Sequence, residues 1–291
     1  MKQRIFVQIP AYRDSELAST ITSLFENAED KEALDVWICW QHDASEVLPK
    51  SITENPQVNI IDIDWRKSRG CGWARRILQQ QWDGQEYSFL IDSHLRFVKG
   101  WDKYLVQTMV QLKRQGHKKP IISTLPPAYY SPQNFPQDRA NFPTNIYPRN
   151  HEMGMLIRFY AEYLPLFRWL KEPVPARFLG MCFVFADGRF NEEVPIDPDI
   201  YFFGDDITTA LRAHCHGYDF FHPQKLVAWH LYDRGTRVTH WDDHQDWTEL
   251  NQVSYERVRA SLLGQELSGF PRGKKRSFNS FKQLVGWDLV I

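Results

Sequence analysis

Short apolar runs and stretches with three-to-four spacing alternate along the first part of the chain, the pattern of buried strands interleaved with helices. Ile5 to Ile9 is a short apolar run closed by Pro10, as a buried strand should be. Asp14 or Ser15 can then cap a helix, and Leu17, Ile21, Leu24, Phe25 and Ala28 fall on one of its faces. Asp35 to Trp40, Val58 to Ile63 and Tyr87 to Ile91 predict three more strands. A helix between Trp73 and Gln81 is opened by the glycines of Arg69-Gly70-Cys71-Gly72. A further helix is expected from about Lys103 to Gln115, and a strand near Ile121-Ile122-Ser123. Strands that alternate with helices predict an α/β fold with a Rossmann-like, mainly parallel sheet covered on both faces.

The middle of the chain changes character. Pro126 to Pro148 is rich in Pro, Asn, Gln and Tyr without a sustained period, and reads as a long loop. A helix is expected from Met153 to Leu170, then a strand at Met181 to Ala186. Asp205-Asp206 opens a helix that Gly217 ends. Val227 to His230 predicts a late strand, Leu250 to Leu263 a helix, and Arg272 to Arg276 is a basic stretch. There are no internal repeats. The expected organisation is one catalytic domain over residues 1–245 with a helical, basic extension over 246–291 packed on or near it.

Composition narrows the function classes. A hydrophobic fraction of 43% supports a sizeable core, and a formal net charge of −1 gives no broad attraction for nucleic acid or acidic lipid. The four cysteines (Cys39, Cys71, Cys182, Cys215) form no CxxC pair, which argues against a zinc ribbon or a disulfide framework and fits a reducing compartment. The first apolar stretch stops at Pro10, too short for a signal peptide or a membrane span. A cytoplasmic protein without stable membrane insertion is therefore expected.

Ligands of such sheets collect beyond the carboxyl ends of the strands, where Pro10-Ala11-Tyr12-Arg13 and Asp92-Ser93-His94 both fall. Asp92 and His94 can point at one divalent ion if the backbone turns there, Mn²⁺ or Mg²⁺ with bound phosphate, or Zn²⁺. The same triplet is also common turn chemistry. His230, ending another apolar strand, is a third candidate ligand, with a hydrogen-bonded buried histidine as the plain alternative. Arg66, Lys67, Arg69, Arg75 and Arg76 surround a glycine-containing helix entry that can bind an anion, or form a solvated basic face. Asp205 and Asp206 suit a helix start by the dipole alone, and could instead contact a sugar or acceptor. A zinc site in the histidine-rich stretch His214 to His244 is disfavoured, because neighbours on a helix diverge by about 100°. No nucleophile elbow, Walker loop or His-Glu-x-x-His motif appears.

The order of the blocks is more specific than any one of them. Ile5 to Asp14, Ser68 to Arg75, Ile91-Asp92-Ser93-His94-Leu95-Arg96-Phe97, Gly100-Trp101-Asp102, Phe203-Gly204-Asp205-Asp206, Gly217-Tyr218-Asp219 and His230-Leu231-Tyr232 follow in series. This series resembles the polypeptide N-acetylglucosaminyltransferases that act on hydroxyproline of a ubiquitin-ligase subunit, and their bacterial relatives, over about residues 4 to 245. The resemblance implies a GT-A glycosyltransferase fold, a UDP-sugar donor (UDP-GlcNAc), a divalent metal and retention at the anomeric carbon. It implies metal contacts at Asp92, His94 and His230, and donor contacts at Pro10, Tyr12, Arg13, Arg69, Gly70, Trp73, Arg75, Asp92 and Ser93. Asp205-Asp206, where the family usually carries Glu, would serve catalysis. The acceptor would be a hydroxyl on a protein, a glycan or a small molecule. Two rivals stand beside this: a metal-dependent phosphoesterase or zinc hydrolase, and a non-catalytic nucleotide-sugar-binding module of the same fold.

Overall fold

The computed structural model describes residues 3–291. Its strands are β1 (Ile5–Tyr12), β2 (Leu34–His42), β3 (Val58–Asp64), β4 (Tyr87–Ile91), β5 (Leu95–Phe97), β6 (Pro120–Ser123), β7 (Ala128–Tyr129), β8 (Thr144–Glu152), β9 (Leu156–Tyr163), β10 (Val174–Pro175), β11 (Phe183–Asp187), β12 (Asp219–His222) and β13 (Ala228–Leu231). Its helices are α1 (Leu17–Asn27), α2 (Lys50–Thr53), α3 (Cys71–Gln79), α4 (Trp101–Arg114), α5 (Phe190–Glu193), α6 (Asp205–Cys215), α7 (His240–Asp243), α8 (Trp247–Leu262) and α9 (Phe278–Val285).

The central sheet runs β10-β12-β6-β11-β4-β1-β2-β3. Strands β3, β2, β1 and β4 are parallel neighbours, as are β6 and β12. Antiparallel β11 joins these two blocks, pairing with β4 on one side and β6 on the other. The inner strands read as near-continuous apolar runs because both of their faces are buried. One core cluster gathers α1 and α4 around Val7, Ile9, Phe89 and Trp101. The other sets α6 against Leu90, Ile121 and Val184, and includes Val258 and Leu262 of α8 and Phe281 and Val285 of α9. The segment beyond residue 245 thus supplies part of a buried core.

The expected strands and helices of the first half are all present, with bounds that move by a few residues. The middle differs. The 126–148 stretch carries β7 and the beginning of β8, and where a helix is expected from Met153 to Leu170 the chain forms the turn of a β8–β9 hairpin and then β9. Met153 (φ 54°) and Gly154 (φ 70°) turn the chain between the two strands. Pro165 lies within that expected helix, where it would remove a ladder hydrogen bond and clash with the preceding turn. The aromatic and β-branched content of Ile157-Arg158-Phe159-Tyr160 favours the extended form as well.

A smaller sheet, β5-β13-β7, lies beyond the carboxyl end of β4. It brings the late strand β13 antiparallel to β5, with His230 opposite Leu95. The residues after Asp92 thereby meet a strand far along the sequence. Among the described residues, no helix is long and apolar enough to cross a membrane.

Candidate active site

A cleft of about 390 Å³ opens where β1 and β4 end and β13 arrives. It is lined by Pro10, Tyr12, Asp14, Asp92, His94 and His230 among others. Asp92 follows the last residue of β4, and its backbone N–H is held by the Cys182 carbonyl at 3.3 Å. The antiparallel strand β11 therefore fixes the turn that aims Asp92.

Asp92, His94 and His230 each present a ligand atom, and these atoms lie within 4.8 Å of one another. Asp92 Oδ2 is 3.2 Å from Nε2 of His230 and 3.7 Å from Nε2 of His94. The donor set of one carboxylate and two imidazoles suits a divalent metal. One further observation fits a metal here. His94 is held from behind: its Nδ1 lies 2.7 Å from Oδ2 of Asp14. A proton shared in that bond leaves Nε2 with a free lone pair on the Asp92 side, the arrangement by which carboxylates orient metal-binding histidines.

The sequence does not show that Asp14 stands behind His94. The Asp14 side chain is 1% exposed. Oδ2 also accepts from the Ser93 hydroxyl at 2.6 Å, while Oδ1 accepts from the Glu16 backbone N–H at 2.9 Å, ahead of α1. Burial raises the cost of its charge, yet the bonds from His94 and Ser93 outweigh it and hold its pKa below the ordinary value. The expected cap is not formed: α1 starts after Glu16 with no side-chain cap, and Asp14 Oδ1 only closes the turn ahead of it.

The charges around Asp92 are arranged to keep it ionised. Burial opposes this, but the His230 hydrogen bond and the Arg75 guanidinium, 3.2 Å from Oδ1, keep its pKa well below the carboxylate range. Arg75 also pairs with Asp205. Burial pushes the His230 pKa down to about 4, so its imidazole is neutral near pH 7. Asp206, beside Asp205 at the start of α6, accepts from the Met181 N–H at 2.6 Å. Burial and the neighbouring Asp205 raise the Asp206 pKa above the ordinary carboxylate value.

The other sequence-predicted residues divide. Pro10, Tyr12, Gly70, Arg75, Ser93, Asp205 and Asp206 all line the cleft. Arg13 sits beside Tyr12, paired with Asp243 at 2.9 Å and Glu46 at 3.3 Å. Arg13, Arg69 and Trp73 are not among the residues that line the cleft. Arg69 is exposed and reaches Asp199 at 3.5 Å. Trp73 packs with Cys39, Ala74 and Leu78. The reason lies in the glycines, which are spent on close backbone approach. A Cβ on Gly72 would fall 2.1 Å from the Ile200 carbonyl oxygen, and one on Gly70 (φ 100°) would strike the Tyr201 ring at 2.5 Å. The Cys71 N–H at the start of α3 is likewise taken by the Tyr201 carbonyl at 2.9 Å.

The histidines of the rival zinc reading have hydrogen-bond partners of their own, although His240 and His244 stack on each other with ring centres 3.9 Å apart. His214 meets the Ser280 hydroxyl, His222 the Ser123 carbonyl, His240 the Tyr201 hydroxyl and His244 the Trp65 carbonyl. Among the described residues, the Asp92 cluster is the group that converges on one point. His240 also stands over Tyr12, with ring centres 4.9 Å apart.

Comparison with known proteins agrees with the fold. The structure of GalNAc-T7 with UDP, GalNAc and Mn²⁺ is similar at a TM-score of 0.60 and 16% identity, covering 98% of this chain. The chain spans only 54% of that protein's structure. The structure of S. aureus TarS 1–349 in complex with UDP-GlcNAc is similar at a TM-score of 0.52 and 14% identity, over 97% of this chain and 70% of the other. The α/β architecture with its mainly parallel sheet is therefore that of GT-A glycosyltransferases. No curated protein sequence matches the chain. The model of the glycosyltransferase (GlcNAc) family matches residues 4–56 and 46–284, and the chain belongs to that family.

Proposed function

We propose that this protein is a metal-dependent, retaining glycosyltransferase that moves a sugar, GlcNAc, from a UDP-sugar to an acceptor hydroxyl. The observation that carries this reading is the convergence of Asp92, His94 and His230 at the mouth of the cleft, with Asp14 behind His94. The structural neighbours crystallised with UDP or UDP-GlcNAc, one of them also with Mn²⁺, support the same class of donor.

A divalent ion held by Asp92, His94 and His230 would supply positive charge where the UDP leaving group becomes more negative. The chain's own groups prepare that place. Arg75 holds Asp92 ionised and in position, and Asp14 keeps the His94 ring turned toward Asp92. Pro10, Tyr12 and Gln41, at the ends of β1 and β2, offer the side of the cleft for the uridine. Asp206, its pKa raised by burial and by the neighbouring Asp205, offers a carboxyl that can accept or return a proton. Asp205 is bound to Arg75 and Asp206 to the Met181 N–H, so neither is offered as a covalent nucleophile. Retention then follows from attack by the acceptor on the face the diphosphate leaves, with the cleft holding the two reactants close. The acceptor hydroxyl belongs to a protein, a glycan or a small molecule.

Calorimetry with UDP, with and without Mn²⁺, tests the metal role, and a panel of UDP-sugars assayed for Mn²⁺-dependent turnover tests the donor. Tight UDP binding only with metal, and turnover of UDP-GlcNAc above the other donors, are expected. Equal UDP affinity in both conditions would remove the metal from the mechanism.

A further inference from the structure

One wall of the cleft carries a second constellation that the donor chemistry leaves unused. The rings of Phe202 and Phe203, just before α6, lie 4.7 Å apart, and Trp241 extends the row 5.5 Å from Phe202. Two guanidinium groups rest on these rings. Arg158 of β9 is 3.8 Å from the centre of Phe203. Arg234, past the end of β13, is 4.9 Å from the centre of Trp241 and 5.7 Å from that of Phe202. All five side chains line the cleft.

The charges there are poorly balanced. Those acting on Arg234 are the like charges of Arg237 and Arg158. Arg237 gives an N–H to the backbone carbonyl of Asp233. Arg158 has one carboxylate nearby, Glu152 at 3.5 Å, in a partly exposed pair that contributes little. Arg234 has no ion pair among the described residues, and guanidinium forks that line a cleft are suited to a phosphate or carboxylate ligand. An aromatic row beside them suits the apolar face of a sugar ring.

These residues come from β9, the approach to α6 and the chain after β13, whereas the end of β1 and the neighbouring β2 form the uridine side. Resting on the glycosyltransferase reading above, we propose that this wall is an acceptor subsite that reads an anionic group, phosphate or carboxylate, on a saccharide acceptor.

The test keeps UDP and Mn²⁺ saturating, so that the donor place is filled, and measures binding of matched probes by calorimetry. D-glucose 6-phosphate is compared with D-glucose, and p-nitrophenyl β-D-glucuronide with p-nitrophenyl β-D-glucoside. The anionic member of at least one pair should bind about tenfold more tightly or better. Arg234→Gln should weaken that preference and the double substitution with Arg158→Gln should abolish it, while Mn²⁺-dependent UDP affinity, which also reports correct folding, is retained. Equal binding within both pairs, or a preference that survives the double substitution, would overturn the proposal. So would a loss of UDP affinity in the variants with the probe preference intact, since that assigns the arginines to the donor diphosphate. Failure of the donor reading itself would appear separately, as metal-independent UDP binding in the unsubstituted protein.

Discussion

Asp14→Asn is the substitution that most directly probes how the cleft holds a metal. The wild-type carboxylate accepts three hydrogen bonds, one at Oδ1 from the Glu16 N–H and two at Oδ2 from Ser93 and His94. An asparagine has one acceptor oxygen and one donor nitrogen, so one of these places must receive an NH₂ group. If the oxygen stays with Glu16, the NH₂ faces Nδ1 of His94 and favours the tautomer with its proton on Nε2. That proton occupies the lone pair the metal would use. Loss of a carboxylate that orients a metal-binding histidine typically costs about 10–100-fold in metal affinity, or roughly 1.4–2.7 kcal/mol. Titration of Mn²⁺ into the UDP-saturated protein would measure this, and ¹⁵N spectra of the histidine ring would report the tautomer. A thermal melt without metal separates affinity from folding. Mn²⁺ affinity within twofold of wild type, in a protein that remains folded, would refute the role assigned to Asp14.

Arg75→Met should destabilise the fold by about 3–5 kcal/mol in urea unfolding, because it leaves Asp205 buried without its cation; a loss below about 1 kcal/mol would contradict the pairing. Gly72→Ala should lower the melting temperature through a clash worth about 1–3 kcal/mol, since backbone at Ile200 occupies the place of the new methyl. Trp73→Phe should leave Mn²⁺-dependent UDP affinity unchanged, and a tenfold loss would return that ring to the donor site. Burial lowers the His222 pKa to about 4, below its ordinary value near 6.5, so the folded state binds fewer protons than the unfolded one between these limits. Stability is then level above about pH 6.5 and falls as pH drops toward 4, by on the order of 3 kcal/mol from this group. Denaturant titrations at pH 7 and 4.5 should show a smaller acid loss in His222→Gln than in wild type, and equal losses would exclude His222 as a cause.

Much of the frame is legible in the sequence for a local reason. Strands buried on both faces cannot hide their composition, so β1 and β4 stand out, and with them the positions just past their ends. Asp92 and His94 are found this way, and His230 by its place in another apolar run. The place of Asp14 behind His94 is not, because the second carboxylate oxygen meets Ser93 and His94 only after α1 has docked against β5. Thr20 shows the same docking, its hydroxyl bonded to the Ser93 carbonyl at 2.7 Å. The glycines of α3 mislead for a related reason. Glycine marks close approach, but nothing local says whether a phosphate or another strand of backbone does the approaching. The hairpin of β8 and β9 fails differently: Leu156, Phe159 and Tyr163 also fit helical spacing, and only Pro165 and the turn at Met153-Gly154 break the tie.

The pairing of Asp92 with His230 closes a span of 138 residues. Within that span β11 must return between β4 and β6 before the sheet is continuous. The two halves of the cleft therefore cannot be joined on a growing chain until His230 has been made, and contacts of such separation are won late in folding. Any ligand that needs both halves recognises only finished molecules, and so adds its binding free energy to the native state alone.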